Sequence, residues 1–422
     1  MADIRPFRGL RFAASAGPLA DLVAPPYDVL SQEERDALAA QALHNVVHLT
    51  LPEQKSDDRS KYVKYARSAA ALAEWRREGA LALEDRPAFY RYVQTFHVPG
   101  SSQTFRRTAI IALIKVEPYE KGVVLPHEQT FPKHKEDRLR ILEATRSHLE
   151  CIYGLFEDPD GGIFALIEGQ PSEELAAIET GDVTHELYAI TDPDACAAIS
   201  QALAPNKVWI ADGHHRYETA CNFRAALGER EGLVPEDFMM MALSSMSDPG
   251  LALLPTHRIL KALPGTADEA LAALRERFAF ADSNPASLWG DVEKGGEGTF
   301  GLALADGRAF TFRPHDTAAM VASLDGGGEL LRSLDVTLLH RVVLEQCLGV
   351  KGLDGIAYTR DPNEAIQAVA QSAAASFLMN PPSVDQMRQI ALGGEKMPQK
   401  STYYYPKLLS GLVLWSLNDY EP

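Results

Sequence analysis

Apolar and polar positions along the chain predict a mixture of helices and strands. A short strand-like piece opens residues 1–30. Ser31-Gln32-Glu33-Glu34 reads as a capping box that starts a helix running to about Leu43. Within Lys61–Glu78, the residues Tyr62, Tyr65, Ala66, Ala69, Leu72 and Trp75 form the apolar stripe of a second helix, expected to face a core. Ala88–Phe96 and Thr108–Val116 read as strands joined by a hairpin-like turn at Pro99-Gly100-Ser101-Ser102. Leu139, Leu142, Glu143 and Arg146 fit a helix from about Lys135 to His148, with a strand at Cys151–Phe156. Gly162–Ile178 reads as partly helical, Glu186–Ile190 as a strand, and Pro193–Leu203 as a helix capped by Thr191.

The densest stretch is Lys207–Cys221. Val208, Trp209 and Ile210 form a β-favouring apolar run, and Asp212-Gly213 is a turn signal. Tyr217, Ala220, Cys221, Arg224 and Leu227 then fall at helical spacing, so the helix is expected from Tyr217 to Leu227. Beyond it, Met239–Ser244 reads as a buried strand and Leu251–Leu254 as another apolar run. From Gly265 the character shifts. A helix at Ala267–Phe278, strands at Thr299–Leu304 and Arg308–Phe312, a helix at Val336–Leu348, a helix at Asn363–Ala374 and a strand at Ser376–Met379 suggest a second module.

Length and composition sharpen this picture. At 422 residues, two domains are the default. The hydrophobic share of 46% and charged share of 23% are those of a soluble globular protein. A net charge of −17 argues against a protein that lives on nucleic-acid phosphates. Cys151, Cys196, Cys221 and Cys347 lack paired spacing and read as reduced thiols of a cytoplasmic protein. No signal-peptide core opens the chain, and no segment reaches membrane-spanning length. No zinc-binding spacing is present, and the Gly-rich Asp325–Glu329 stretch lacks the Gly-Lys-Ser/Thr of a phosphate loop.

The candidate chemistry gathers between the Val208 strand and the following helix. The first N–H groups of a helix lack internal partners, and its dipole favours an anion there. Gly213 lets a ligand approach the backbone, Arg216 offers a planar fork, and His214 and His215 can donate hydrogen bonds or move protons. Asp212 could fix a His tautomer, receive a proton or ligate magnesium. A plain turn in which Asp212 caps the helix and the imidazoles are solvated is the alternative. Pro25 and Pro26 stiffen a loop that would display Tyr27 and Asp28. His127 and Glu128 precede a helix whose first turn is crowded with Lys133, His134, Lys135 and Arg138, which suits a bound anion. His257 and Arg258 are candidates for a pocket edge. Lys400 and Lys407 sit in a Ser/Thr/Tyr-rich loop suited to phosphate.

These motifs carry a resemblance. Asp212-Gly-His-His-Arg-Tyr217, with Pro25-Pro-Tyr-Asp28, His127-Glu128, Lys135-Glu-Asp-Arg138, Pro255-Thr-His-Arg258 and Lys400-Ser-Thr-Tyr-Tyr-Tyr-Pro-Lys407, resembles a bacterial and archaeal family catalogued as "domain of unknown function 1015". The likeness covers nearly the whole chain. The Gly-His-His-Arg turn also resembles the phosphate motif of the ParB/sulfiredoxin-like group, which includes DNA-segregation CTPases, sulfiredoxins and free-serine kinases. Sulfiredoxins need a catalytic Cys in the turn, and Asp212–Tyr217 has none. The acidic balance fits the DNA-segregation proteins poorly. The free-serine kinases fit best.

The resemblance implies an α+β fold, with a ParB/sulfiredoxin-like core carrying insertions over residues 1–262 and a C-terminal α/β module over 263–422. The second module would return a Lys/Tyr loop to the cleft. It implies a phosphotransferase acting on a small hydroxylated metabolite, with free L-serine as the best guess. Gly213, His214, His215 and Arg216 would hold phosphate, helped by Lys133, Lys135, Arg138, Lys400 and Lys407. Asp28, Asp212 and His214 would be catalytic. Asp28 is the positional counterpart of a Glu base in those kinases. Tyr27, His127, Glu128, His257 and Arg258 would contact substrate. Mg2+ with ATP, ADP or pyrophosphate is the expected cofactor, with no protein-only metal site. The reading has no nucleic-acid or membrane partner and is compatible with a homodimer. The alternatives are a nucleotide-binding switch of the ParB-like CTPase type and a metal-dependent phosphatase or nuclease.

Overall fold

The computed structural model describes residues 1–421 apart from 100, 102, 129, 131, 351, 353, 354 and 399, and the backbone alone of 132–134. The hairpin turn expected at 99–102 therefore falls partly outside the described residues. The elements form a mixed α/β structure built on two main sheets.

The larger sheet has nine strands. In chain order these are β1 (Ile4–Arg5), β2 (Phe89–His97), β3 (Thr104–Lys115), β4 (Val124–Leu125), β5 (Ile152–Phe156), β6 (Glu173–Thr180), β7 (Val183–Ile190), β8 (Val208–Asp212) and β9 (Phe238–Ser245). Their spatial order is β4-β8-β5-β9-β3-β2-β7-β6, with β1 added on β3. β8 pairs parallel to β4 and antiparallel to β5. Its short apolar run is buried on both faces. Val208 and Ile210 enter one core, and Trp209 and Ala211 the other. That double burial explains a continuous apolar run in place of alternation.

The second sheet has six antiparallel strands: β10 (His257–Leu260), β11 (Phe278–Ser283), β12 (Phe300–Leu304), β13 (Ala309–Pro314), β14 (Ile356–Thr359) and β15 (Ala375–Met379). Their order is β11-β13-β12-β15-β10-β14. The chain then returns to the first unit. Tyr403–Tyr405 pairs with Ala252–Leu254, Ser410 bridges Ala24, Leu414 bridges Leu10, and Trp415 pairs with His148.

Helices α1 (Gln32–Gln41), α2 (Val63–Arg77), α3 (Pro132–Thr145) and α4 (Pro193–Leu203) precede α5 (His214–Ala226), whose first turn reaches the site. Ser31 caps α1 through a capping box with Glu34, as its sequence dictates. Several expectations are corrected. α5 begins at His214, because Gly213 takes a left-handed conformation that lets the turn close at once. Polar His214, His215 and Arg216 hide this start from any apolar periodicity. Asp192, not Thr191, caps α4 by accepting the Ala195 N–H. α3 stops at Thr145; Arg146 has φ 52, and Ser147–His148 becomes a strand. The helix at 267 ends at Arg275, and Phe278 opens β11. Gly162–Glu168 is helical, but Glu173–Thr180 is β6. Among the described residues, no helix is long and apolar enough to cross a membrane.

Candidate functional site

Segments distant in sequence converge on one cavity of about 410 Å³. The end of β8 supplies Asp212 and Gly213, and the first turn of α5 supplies His214 and His215. The Pro25-Pro26 loop contributes Tyr27 and Asp28, and Glu128 follows β4. Thr256 precedes β10 and Arg360 follows β14. The returning C-terminal segment adds Lys400, Thr402, Tyr403 and Lys407.

Backbone geometry sets the floor. Gly213 has φ 95, and a Cβ there would lie 2.6 Å from Ile152 Cγ2. The position therefore requires glycine. Gly213, at the N-cap of α5, has no side chain with which to cap it. The first turn of α5 lines the cavity and carries the positive end of the helix dipole. Asp212 does not cap the helix; its carboxylate turns to cations instead. Lys407 Nζ lies 2.6 Å from Oδ1, and an Arg216 guanidinium nitrogen lies 3.3 Å from Oδ2. Burial works against a charged Asp212, but the Lys407 ammonium and the Arg216 guanidinium outweigh it and hold the carboxyl below its ordinary range.

Two imidazoles in contact lie behind this floor. His127 and His214 meet edge to face with centroids 4.6 Å apart. His127 Nδ1–H donates to the Ile210 carbonyl at 2.7 Å, so its Nε2 accepts the Thr402 hydroxyl at 2.9 Å. His214 Nε2 accepts the His127 backbone N–H at 3.3 Å. Burial pushes His127 down to about 4 and His214 well below its ordinary value. Both rings are therefore neutral at pH 7, and their proton positions follow from these bonds.

The Tyr27 loop is pinned from below. Glu150 accepts the Tyr27 backbone N–H and the Ser410 hydroxyl, each at 3.0 Å. The Arg138 guanidinium stacks on the Tyr27 ring at 3.9 Å and lies 3.6 Å from Glu150. Asp28 is left exposed at the cavity. Glu128 accepts the Lys400 backbone N–H, and Lys400 itself has φ 57. Burial, reinforced by Asp212 and opposed by Lys400 and Lys407, pushes Glu128 up to about 7. It can thus take and release a proton near neutral pH.

Tyr27, Asp28, Glu128, Asp212, Gly213, His214, His215, Lys400 and Lys407 share the cavity. The other candidates do not line it. Arg216 is tucked beneath, donating to the Cys151 carbonyl at 2.8 Å as well as pairing with Asp212. Its expected contact with phosphate gives way to support of the floor. Lys135 pairs with Glu218 at 2.8 Å, and Arg138 is held by Asp137, Glu150 and the Thr50 carbonyl. Acidic partners therefore balance the Lys135 and Arg138 charges. Lys133 and His134 have side chains outside the described residues. His127 is fully enclosed and meets the cavity through its neighbours Thr402 and His214. His257 and Arg258 are buried in β10, between β14 and β15. Arg258 donates to His340 Nε2 and to the carbonyls of Thr256 and Lys400, so it braces the cavity wall.

Thr256, Arg360, Thr402 and Tyr403 line the cavity without having been singled out as ligands in sequence. A lone Arg before Asp361-Pro362 carries no motif. Among the described residues, no group of three or more His, Cys, Asp or Glu is arranged to hold a metal ion. Mg2+ commonly binds through one or two carboxylates plus substrate phosphates. Asp28, exposed at the cavity, fits that smaller demand.

A family model described as "Protein of unknown function (DUF1015)" matches residues 4–337. No curated relative matches the chain. Among solved structures, a free serine kinase in complex with AMP aligns at 13% identity and TM-score 0.35, over 70% of this chain and 86% of its own. A conserved hypothetical protein from Pyrococcus furiosus aligns at 14% and 0.35, over 73% and 96%. SbnI with a C-terminal truncation, from Staphylococcus aureus, aligns at 12% and 0.36, over 72% and 86%. At these TM-scores the likenesses carry no weight for activity or substrate.

Proposed function

We propose that this chain, which belongs to the DUF1015 family of proteins of unknown function, is a phosphotransferase. It moves a phosphoryl group from a nucleotide, or pyrophosphate, to a small hydroxylated metabolite, with free L-serine the first acceptor to test. A ParB/sulfiredoxin-like core over residues 1–262 and a C-terminal module over 263–422 belong to the same proposal. The observation that carries it is the uncapped N-terminus of α5 at Gly213, which shares a cavity with Asp28, Glu128 and Lys400.

Donor phosphates rest at the first turn of α5, where the positive end of the helix dipole favours an anion. Lys400 adds positive charge at the same cavity. Glu128 accepts the acceptor's hydroxyl proton. Asp212 suits that task less, because Lys407 and Arg216 hold it ionised and weakly basic. In the transfer, the acceptor oxygen bonds to phosphorus as the bridging P–O bond to the donor breaks. The hydroxyl proton moves to Glu128. Such reactions need mostly positioning and charge stabilisation. Asp28, with the phosphates, would hold Mg2+, which neutralises phosphate charge when bound.

The support for L-serine is the resemblance of the Gly213–Arg216 turn to that of the free-serine kinases. The test is incubation of the chain with Mg2+, L-serine and ATP, ADP or pyrophosphate, followed by detection of phosphoserine. Formation above a Gly213→Ala control supports the reading. Phosphate release with no acceptor product would point to hydrolysis and remove it.

A further inference from the structure

Arg360 enters the cavity from the second sheet, on a backbone locked on both sides. Thr359 ends β14 and binds Glu364, while Asp361 caps the next helix by accepting the Asn363 N–H at 2.8 Å. The guanidinium lies over the Tyr403 ring, 4.2 Å from its centroid. This stacking fixes the plane of the fork. Among the described residues no carboxylate pairs with it, and its buried Nε has no hydrogen-bond partner. Thr256 lies at the same cavity, is 1% exposed, and its hydroxyl is likewise unpartnered. Its backbone is held by Arg258. Buried donors without partners are uncommon in native proteins, and two at one cavity call for a ligand.

Resting on the phosphotransferase reading, we infer that the acceptor carries a carboxylate, gripped by the Arg360 fork and the Thr256 hydroxyl. The cavity then has two anion-binding poles. The helix end takes donor phosphate, and the Arg360 wall takes the acceptor's carboxylate, whose planar pair of oxygens matches a guanidinium. The acceptor's hydroxyl then faces the same cavity that Glu128 and Asp28 line. The substrate class is a small hydroxy acid or hydroxy amino acid. Sugars, polyols and amino alcohols lack the group that Arg360 would hold.

Calorimetry on the full chain tests this with L-serine and D-glycerate as acids, L-serinamide and ethanolamine as carboxylate-free probes, and ADP as a control. The wild type is expected to bind at least one acid tenfold or more tighter than the carboxylate-free probes. Arg360→Ala should bring that ratio within twofold of one, while ADP affinity changes less than twofold. Arg360→Lys should keep part of the preference, and Thr256→Val should weaken the acid severalfold. Thermal melting checks that each variant is folded. Equal binding of acid and amide, no binding of either acid, or an undiminished preference in Arg360→Ala would overturn the inference. So would a selective loss of ADP affinity, which would give the guanidinium to the nucleotide. Failure to form any phosphorylated product would remove the kinase reading and leave this binding result to stand or fall by itself.

Discussion

Lys407 reaches the Asp212 carboxylate at 2.6 Å, joining residues 195 positions apart in sequence. The contact ties the returning C-terminal segment to the end of β8, at the point where the cavity floor begins. Lys407 Nζ also sits 4.5 Å from the Tyr403 ring centroid, so it supports the wall that carries Arg360.

Removal of the ammonium by Lys407→Met should therefore destabilise the fold by about 3–5 kcal/mol, the usual cost of stranding one partner of a buried pair. Urea unfolding measures it. The Asp212 carboxyl is held low in the folded state, so its contribution is full above the ordinary carboxylate range and lost as pH falls through and below it. The variant should lose that part of the acid dependence. A change under 1 kcal/mol would mean that Arg216 alone satisfies Asp212.

The His127–His214 pair gives a second pH signature. His127 is held neutral, with its folded value near 4 against an ordinary 6.5. The unfolded chain binds more protons in that window, so stability falls as pH drops from about 6.5 to about 4. His127→Gln should flatten this limb. The gap between variant and wild type should be widest above pH 6.5 and shrink toward pH 4. Denaturation midpoints across that range decide the matter; parallel curves would show that the ring does not carry the effect.

Glu128 and Asp28 should separate by kinetics. With Glu128 near 7, turnover should rise through neutral pH and level off as the carboxylate forms. Glu128→Gln should lower kcat by roughly 100-fold or more, within the range for a lost general base, and leave KM nearly unchanged. Asp28→Asn should respond chiefly to Mg2+ concentration. A Glu128→Gln enzyme with the wild-type pH profile would move the base elsewhere.

Gly213→Ala places a methyl group 2.6 Å from Ile152 Cγ2 in a left-handed conformation. The conformation alone costs about 1–2 kcal/mol. Nucleotide affinity should fall at least tenfold as the first turn of α5 shifts. Titration with ADP checks this, and an unchanged affinity would place the phosphates away from that turn.

Much of the scaffold was legible because local chemistry dictates it. The Ser31 capping box, the Val208–Ile210 run and the limits of α4 follow from caps, turn residues and β-favouring side chains. The cavity-lining members of the Asp212 motif were visible because they cluster in sequence. What the sequence hid was pairing. Lys135, Arg138 and Arg216 look like anion ligands until Glu218, Glu150 and Asp212 are placed beside them. Arg258 lies two residues after Thr256, yet its place inside the sheet buries it. Arg360 was missed for the converse reason. It has no motif around it, and only the folding of the second sheet against Tyr403 brings it to the cavity.

The most direct test of the phosphate-binding turn is a crystal structure of the full chain with ADP and Mg2+. The account predicts a phosphate whose oxygens lie within about 3 Å of the His214 and His215 backbone nitrogens, with Lys400 turned toward it. ADP bound elsewhere, with the first turn of α5 facing only solvent, would contradict it.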